Sequence, residues 1–513
     1  MTRAVVNINC ERRIGSINDT IFGSFIEMIP GSIHGGVYDP ASPAADEEGF
    51  RRDVMEAARA MGVSIVRFPG GCFAPFYHWR DGVGPRETRP KTRYDKLPGT
   101  GEPWWSSSND YGTDEFVSWC RKVGAEPFIC VNMGSGTAEE ARDWVEYCNH
   151  PGGSRWADLR IRNGHPEPFN VKYWALGNEI SGEWEFGYAD SAEDYIRRTR
   201  EFVKVMRHSD PTIKFVLAGT HFPLNHVHKN WNREVLESLY AWADYISMHH
   251  YIGLMGRSNC TQNWKELGPE KVHRKLVECM MEVDDAYQVL RQDIRLVNHR
   301  KGNLKKTIGI ALDEYNPWYK GSGPYLKEIY NVTDAILVAA YFNIFIRNAD
   351  VATLSNAAQL VNVLPSMICE SGGVGFFRQT ISYVQEMFLA NRGKIAVDAW
   401  QDGPAFQGEF FPAVPVLDSS ASFDSKESEL VINIANRDPH KRLTVELQVR
   451  DRKIRRLAGT IFGRAKLTTA NDFTRPERLV PASMKLTSRT SVVLPPASIA
   501  VIVAKVTQPA HPA

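Results

Sequence analysis

The chain has 513 residues, 61 Lys and Arg against 60 Asp and Glu, and 43% hydrophobic residues. A net charge near zero excludes an electrostatic nucleic-acid surface or membrane anchor, and no run of 18 apolar residues offers a membrane-spanning helix. The length passes the size at which one core usually gives way to two, so two domains and a small or neutral partner are expected.

In chain order, AVVNIN (4–9) reads as an opening strand. The surrounding MTRAVVNINCERRIGSIND carries polar or charged residues every few positions and lacks the apolar centre of a secretion signal. The eight cysteines, at 10, 72, 120, 130, 148, 260, 279 and 369, form no CxxC pair and no short metal-ligand spacing. That scatter predicts reduced thiols in a cytoplasmic protein, with neither disulfides nor a zinc site. The 13 Trp, 18 Tyr and 24 Phe are mainly core, although sugar clefts also use flat rings.

From about residue 20 to 385, short apolar runs alternate with helix-length amphipathic stretches, the sign of repeated βα units. Eight runs read as strands: TIFGSFIE (20–27), VSIVRFP (63–69), EPFICVN (126–132), VKYWALGNE (171–179), IKFVLAG (213–219), YISMHHY (245–251), TIGIALDEY (307–315) and VATLSNAAQ (351–359). Between them, TDEFVSWCRKVGAE predicts a helix capped by Thr113, with Asp114 and Glu115 at its positive end and Gly124 as its stop. In SAEDYIRRTREFVKVMRHSD, Ser191 and Asp194 form a capping-box pattern, and Tyr195, Phe202, Val203 and Met206 recur at helical spacing.

Eight strands with helical crossovers predict an α/β fold, a (β/α)8 TIM barrel, with a doubly wound open sheet as the alternative. After about residue 386, segments such as FDSKESELVINIAN and TSVVLPPASIAVIVAKV alternate apolar and polar residues between turns, as in an antiparallel, jelly-roll-like β-sandwich. The expected division is 1–19 as a strand joining the sandwich, 20–385 as the barrel and 386–513 as the sandwich. The QPAHPA tail is expected to be disordered.

Reactive groups of such barrels gather at the C-terminal ends of the strands. The fourth run ends in Asn178-Glu179, the seventh in Asp313-Glu314, and the first adds Glu27. Alternation along a strand predicts that Asp313 and Glu314 do not both face the centre, and puts His249 and Tyr251 on one face of the sixth strand. Paired carboxylates across a cleft split glycosidic bonds, one donating a proton while the other attacks or activates water. Spacing alone leaves three readings open: a glycosidase, a metal site of carboxylates, and unrelated surface acids.

The segments VRFPGGCFAPFYHWRDGVGPRETRP (66–90), NMGSGTAEEARDWVEYCN (132–149), KYWALGNE (172–179), ISMHHYIG (246–253), LDEYNPWY (312–319) and NAAQLVNVL (356–364) resemble glycoside hydrolase family 51, the α-L-arabinofuranosidases. The likeness runs in the family's order from about residue 20 to 370. It implies a retaining, exo-acting, cofactor- and metal-independent hydrolysis of small arabino-oligosaccharides, in a homo-oligomer, a hexamer by family likeness. By the same resemblance Glu179 is the acid/base and Glu314 the nucleophile, while Asn178 bonds the sugar 2-hydroxyl. Glu27 and Gln359 bind sugar, His249 and Tyr251 surround the nucleophile and sugar, and Trp318 is an aromatic beside the site. The chemistry then asks for a raised pKa at Glu179, from a desolvated pocket and the charge of Glu314, and for an ionised Glu314.

Two departures stand out. Cys72 follows PGG where the best-known members carry Asn, which marks a subgroup and weakens a sugar contact, since a thiol is a poor hydrogen-bonding group. MIPGSIHGGVYDP, after Glu27, also differs from the family's usual text. Both bear on which furanoside and linkage are preferred. β-Galactofuranosidase, β-xylosidase and endo-glucanase activities are the enzymatic alternatives, and a non-catalytic carbohydrate-binding protein is the alternative of another class. Neither a thiol nucleophile nor a zinc ligand is expected at Cys72.

Overall fold

Along the fourth run, Tyr173 and Ala175 join an interior cluster with Ile65, Phe128, Val216, Ala311 and Leu354, while Trp174 and Leu176 pack outward against the helices. Burial on both faces is why the run is apolar throughout. The computed structural model describes residues 2–93, 106–224, 228–320, 326–450, 452–486 and 488–507; the QPAHPA tail lies outside them.

Eight parallel strands close the barrel: Gly23–Phe25, Ile65–Phe68, Glu126–Cys130, Tyr173–Leu176, Lys214–Leu217, Tyr245–Ile252, Gly309–Pro317 and Ala352–Ala358. They are numbered first to eighth here. Each pairs with the next, and the eighth pairs with the first, so no edge remains. The predicted helix begins at Thr113 and ends at Val123, but its cap is Gly112, whose N–H donates to Glu115 at 2.8 Å. Thr113 instead accepts a hydrogen bond from the Trp144 indole. The helix Ala192–Ser209 is capped as its sequence suggests, with Ser191 Oγ accepting from the Asp194 N–H.

The second body is a nine-stranded sheet that includes Thr2–Ser16, Ile395–Asp402, Leu417–Asp424, Glu429–Asn436, Leu443–Val449 and Ser498–Val506. Residues from both ends of its strand order, Val492 and Leu494 at one and Ile461 and Ile502 at the other, share one core, so the sheet bends over on itself. Pairing is antiparallel except where Thr2–Ser16 runs parallel to Leu443–Val449. That strand reaches the sheet from the far end of the chain, so no hairpin dictates its direction.

Between barrel and sheet lies the helix Val332–Arg347, in which every residue from Val332 to Ile346 is buried. A helix apolar all round belongs between two layers. Two of its polar residues near its C-terminal end face the sheet: Asn343 donates to Asp418 at 2.8 Å, and Arg347 pairs with the same carboxylate at 2.9 Å. Removing that acid takes a partner from the Asn343 amide and leaves the Arg347 guanidinium only Asp284 and the Ser419 carbonyl. Asp418→Ala is therefore expected to cost about 2 to 4 kcal/mol, read as an earlier transition in denaturant unfolding; an unchanged midpoint would refute the pairing as a clamp between the two layers.

Candidate functional site

The chain leaves the fourth strand at Leu176, earlier than the apolar run suggests. Gly177, at φ 87°, and Glu179, at φ 40°, bend it so that Asn178 and Glu179 both reach the barrel mouth. On the seventh strand the expectation of one inward acid is overturned. The register with the sixth strand jumps from Leu312–Met248 to Glu314–His249, leaving Asp313 as a bulged residue. Both acids consequently reach the same pair of cations, Arg67 and His249.

Arg67, on the second strand, is fully buried. Its Nη1 donates to Glu314 Oε1 and its Nη2 to Asn178 Oδ1, each at 2.6 Å, and Nε lies 3.4 Å from Asp313 Oδ2. Burial works against its charge, but Glu314 and Asp313 raise its pKa beyond the ordinary. Tyr251 donates to Glu314 Oε2 at 2.7 Å, so both oxygens of that carboxyl are held. The loop after the second strand passes close by: a Cβ on Gly71 would sit 2.6 Å from Glu314 Oε1.

His249 stands between the carboxyls, with Nδ1 2.8 Å from Glu179 Oε1 and 3.6 Å from Glu314 Oε2, and Nε2 3.4 Å from Asp313. Burial lowers its pKa, but the charges of Glu314 and Asp313 and the bonds to Asp313 and Glu179 raise it to about 10. The raised pKa expected at Glu179 is not found. Burial pushes it up, yet the bond and charge of His249, the charge of His221 and the Trp184 N–H, at 2.6 Å, hold it below its usual value. His250, on the opposite face, is a core histidine bonded to Tyr341.

Glu27 accepts from the N–H groups of Gly71 at 3.0 Å and Phe73 at 3.2 Å, and from Gln359 Nε2 at 2.8 Å. Burial, with Glu314 adding to it, pushes its pKa up to about 7. Trp318 packs edge-on to Tyr251, with ring centroids 5.1 Å apart. Glu27, Cys72, Glu179, Tyr251, Glu314, Trp318 and Gln359 all line one cavity of about 590 Å³ at the mouth. Asn178 and His249 are joined to it through Arg67 and Glu179.

Sequence reasoning missed four residues. Arg67 had a signal, a charge inside the apolar run VSIVRFP that a buried strand cannot leave unpaired. Trp184, His221 and Glu185 follow the strands on loops and carry no periodic mark. Glu185 is 4% exposed and accepts from Asn178 Nδ2 at 3.1 Å. Burial, then the charge of Glu179, pushes its pKa up to about 8. All eight cysteines are free, and among the described residues no helix is long and apolar enough to cross a membrane.

Residues 57–266 match the Alpha-L-arabinofuranosidase 1 domain and residues 313–498 the Alpha-L-arabinofuranosidase C-terminal domain. The intracellular exo-α-(1→5)-L-arabinofuranosidase of Halalkalibacterium halodurans is 36% identical over 453 residues, covering 85% of either chain. The Bacillus subtilis protein named intracellular exo-α-(1→5)-L-arabinofuranosidase 1 is 35% identical over 450 residues, again 85% of each. The GH51 α-L-arabinofuranosidase structure from Thermotoga petrophila superposes with a TM-score of 0.85 at 30% identity, over 98% of this chain and 99% of that one. Matched over most of its length by these models and relatives, the chain belongs to glycoside hydrolase family 51, the α-L-arabinofuranosidases.

Proposed function

We propose that the protein is an exo-acting α-L-arabinofuranosidase that releases terminal α-L-arabinofuranosyl residues from arabino-oligosaccharides by retaining double displacement. One observation carries the reading: Glu179 and Glu314, from the fourth and seventh strands, offer oxygens within 4.8 Å of one another beside the cavity. So close an approach favours the separation of about 5 to 5.5 Å between carboxyl groups at which a carboxylate attacks, over the roughly 6.5 to 9.5 Å that leaves room for a water.

In the first step Glu314 attacks the anomeric carbon while Glu179 protonates the departing oxygen; in the second, Glu179 takes a proton from water as it displaces Glu314 from the sugar. The proton rests with the Glu179–His249 pair, which titrates as a unit. Arg67 and Tyr251 hold the plane of Glu314, and Asn178, Glu27 and Gln359 offer bonds to the sugar hydroxyls. Cys72 marks a subgroup and bears on which furanoside is preferred. We further infer a catalytic barrel over 20–385 and a sandwich over 386–513, joined by 1–19. The names of the relatives support a 1→5 linkage and a cytoplasmic setting, and the family likeness a hexamer, which light scattering on the purified protein would check.

Rates on aryl arabinofuranoside, galactofuranoside, xyloside and soluble β-glucan decide the substrate: the first is expected to be fastest, and silence there beside fast release elsewhere would overturn the choice. Glu314→Gln should lower kcat by about 10⁴-fold or more, and a mechanism-based furanosyl inhibitor should leave its adduct on Glu314 in mass spectrometry. Glu179→Ala should slow poor leaving groups most, by about 10²- to 10⁴-fold. Binding without turnover, unchanged by Glu314→Ala, would favour the non-catalytic alternative.

Two further outcomes test the geometry. Gly71→Ala pushes a methyl group toward Glu314 Oε1, so kcat/KM should fall about 10²-fold with little change in unfolding temperature; full activity would refute the tight approach. The proton of the Glu179–His249 pair is held below the raised pKa of about 10 and lost above it. In His249→Gln that proton has Glu179 alone, so the alkaline limb of the kcat/KM profile should move to lower pH. A limb that stays in place would show that His249 does not hold the proton.

A further inference from the structure

At the mouth, Cys72, Glu179 and Glu185 each bring one donor atom to within 4.8 Å of the other two. The three come from the loop after the second strand and the segment after the fourth. Cys72 is the one cysteine of the eight that is not buried, and it lines the open cavity together with Glu179. Glu185 is 4% exposed, and its hydrogen bonding is incomplete: Oε1 accepts from Asn178, but Oε2 is buried without a hydrogen-bond partner. The Cys72 thiol interacts with this carboxyl, and a thiol is too weak a donor to satisfy it. A buried carboxyl left with one oxygen in that state, beside a thiol and a second carboxylate, makes a place for a cation.

We propose that Cys72, Glu179 and Glu185 form a binding site for a thiophilic divalent cation of the zinc or cadmium kind, and that its occupation blocks the proton-donating glutamate. One sulfur and two carboxylate oxygens make a donor set that zinc and cadmium accept, whereas magnesium and calcium take oxygen alone. Tetrahedral zinc with ligands at about 2.0 to 2.3 Å needs donor atoms roughly 3.4 to 3.6 Å apart. Closing from within 4.8 Å takes side-chain movements of about an ångström. The fourth position opens to the cavity and takes water. Binding exchanges the thiol proton, and below about pH 8 the proton held by Glu185, for the cation, both protons leaving to solvent. Glu179 keeps its bonds to His249 and Trp184, because each carboxylate oxygen has a second lone pair, but that lone pair then holds the cation and cannot carry a proton to a leaving oxygen. The other trio within the same reach, Glu179, His249 and Glu314, is a poorer cation site because its imidazole also faces Asp313 and stays protonated.

Binding does not depend on the sugar chemistry proposed above; only the loss of activity rests on that reading. Cadmium chloride titrated into the full-length protein is expected to give a cadmium–thiolate charge-transfer band in the ultraviolet at one equivalent, with matching stoichiometry by calorimetry. Cys72→Ser should abolish the band, and Glu185→Gln should weaken the affinity at least tenfold. Hydrolysis of an aryl arabinofuranoside by the unmodified enzyme should fall in step with the band. No band, a band that survives Cys72→Ser, or an affinity untouched by Glu185→Gln would overturn the site, and a full band with full activity would overturn the blockade. If the variants do not fold, X-ray absorption on the zinc-loaded unmodified protein decides: one sulfur with oxygens supports the site, and a shell without sulfur or with imidazole refutes it. An enzyme inactive on arabinofuranosides leaves the band and the absorption spectrum as independent readouts.

Discussion

Arg67, on the second strand, ties its guanidinium to the seventh strand and to the segment that follows the fourth. Taking such a cation out of water costs several kcal/mol, and the cost is offset only because Glu314, Asn178 and Asp313 meet it with two bonds of 2.6 Å and an ion pair. Geometry follows from that requirement. The plane of Glu314 is set by Arg67 on one side and Tyr251 on the other, and the flip state of Asn178 is set by the guanidinium at its oxygen and Glu185 at its nitrogen. With Arg67 gone, Glu314 and Asp313 of the seventh strand and Asn178 after the fourth would lose the cation that stands between them.

A second cation completes the arrangement. His249 lies among Glu179, Glu314 and Asp313, and their charge keeps it protonated against its own burial. The bulge at Asp313 makes this possible, since a regular strand would turn that carboxyl away. Glu179 is thereby held as a carboxylate paired with an imidazolium in the sugar-free protein. In the double displacement proposed above, acid catalysis requires the shared proton to cross a single hydrogen bond of 2.8 Å, which makes the pair the acting unit.

Rigid support comes from outside the mouth. The helix Val332–Arg347 is enclosed by the barrel and the sheet, and its Asn343 and Arg347 end on Asp418 of the sheet. The N-terminal strand ties the opposite end of the chain into the same sheet. The seventh and eighth strands, which carry Glu314 and lead to Gln359, flank this helix in the chain, so the second body braces the part of the barrel that holds Glu314.

Much of this was legible in the order of residues. Eight apolar runs became eight strands because burial on both faces demands continuous apolar side chains, a demand written into each run separately. Glu179, Glu314 and Glu27 were legible as acids at the ends of such runs, and Tyr251 shares a strand face with His249 because side chains alternate. What composition and spacing could not decide were relations between strands. Asp313 joins the site through a register jump against the sixth strand, Arg67 finds its partners 111 and 247 residues away, and the pKa of Glu179 falls because an imidazole from another strand faces it. Glu185 and Cys72 look like a loop acid and a stray thiol until the fold sets them together. Local sequence determines which segments are buried and where their acids emerge; charge balance and hydrogen-bond direction belong to pairs distant along the chain, and only the closed barrel brings those pairs within reach.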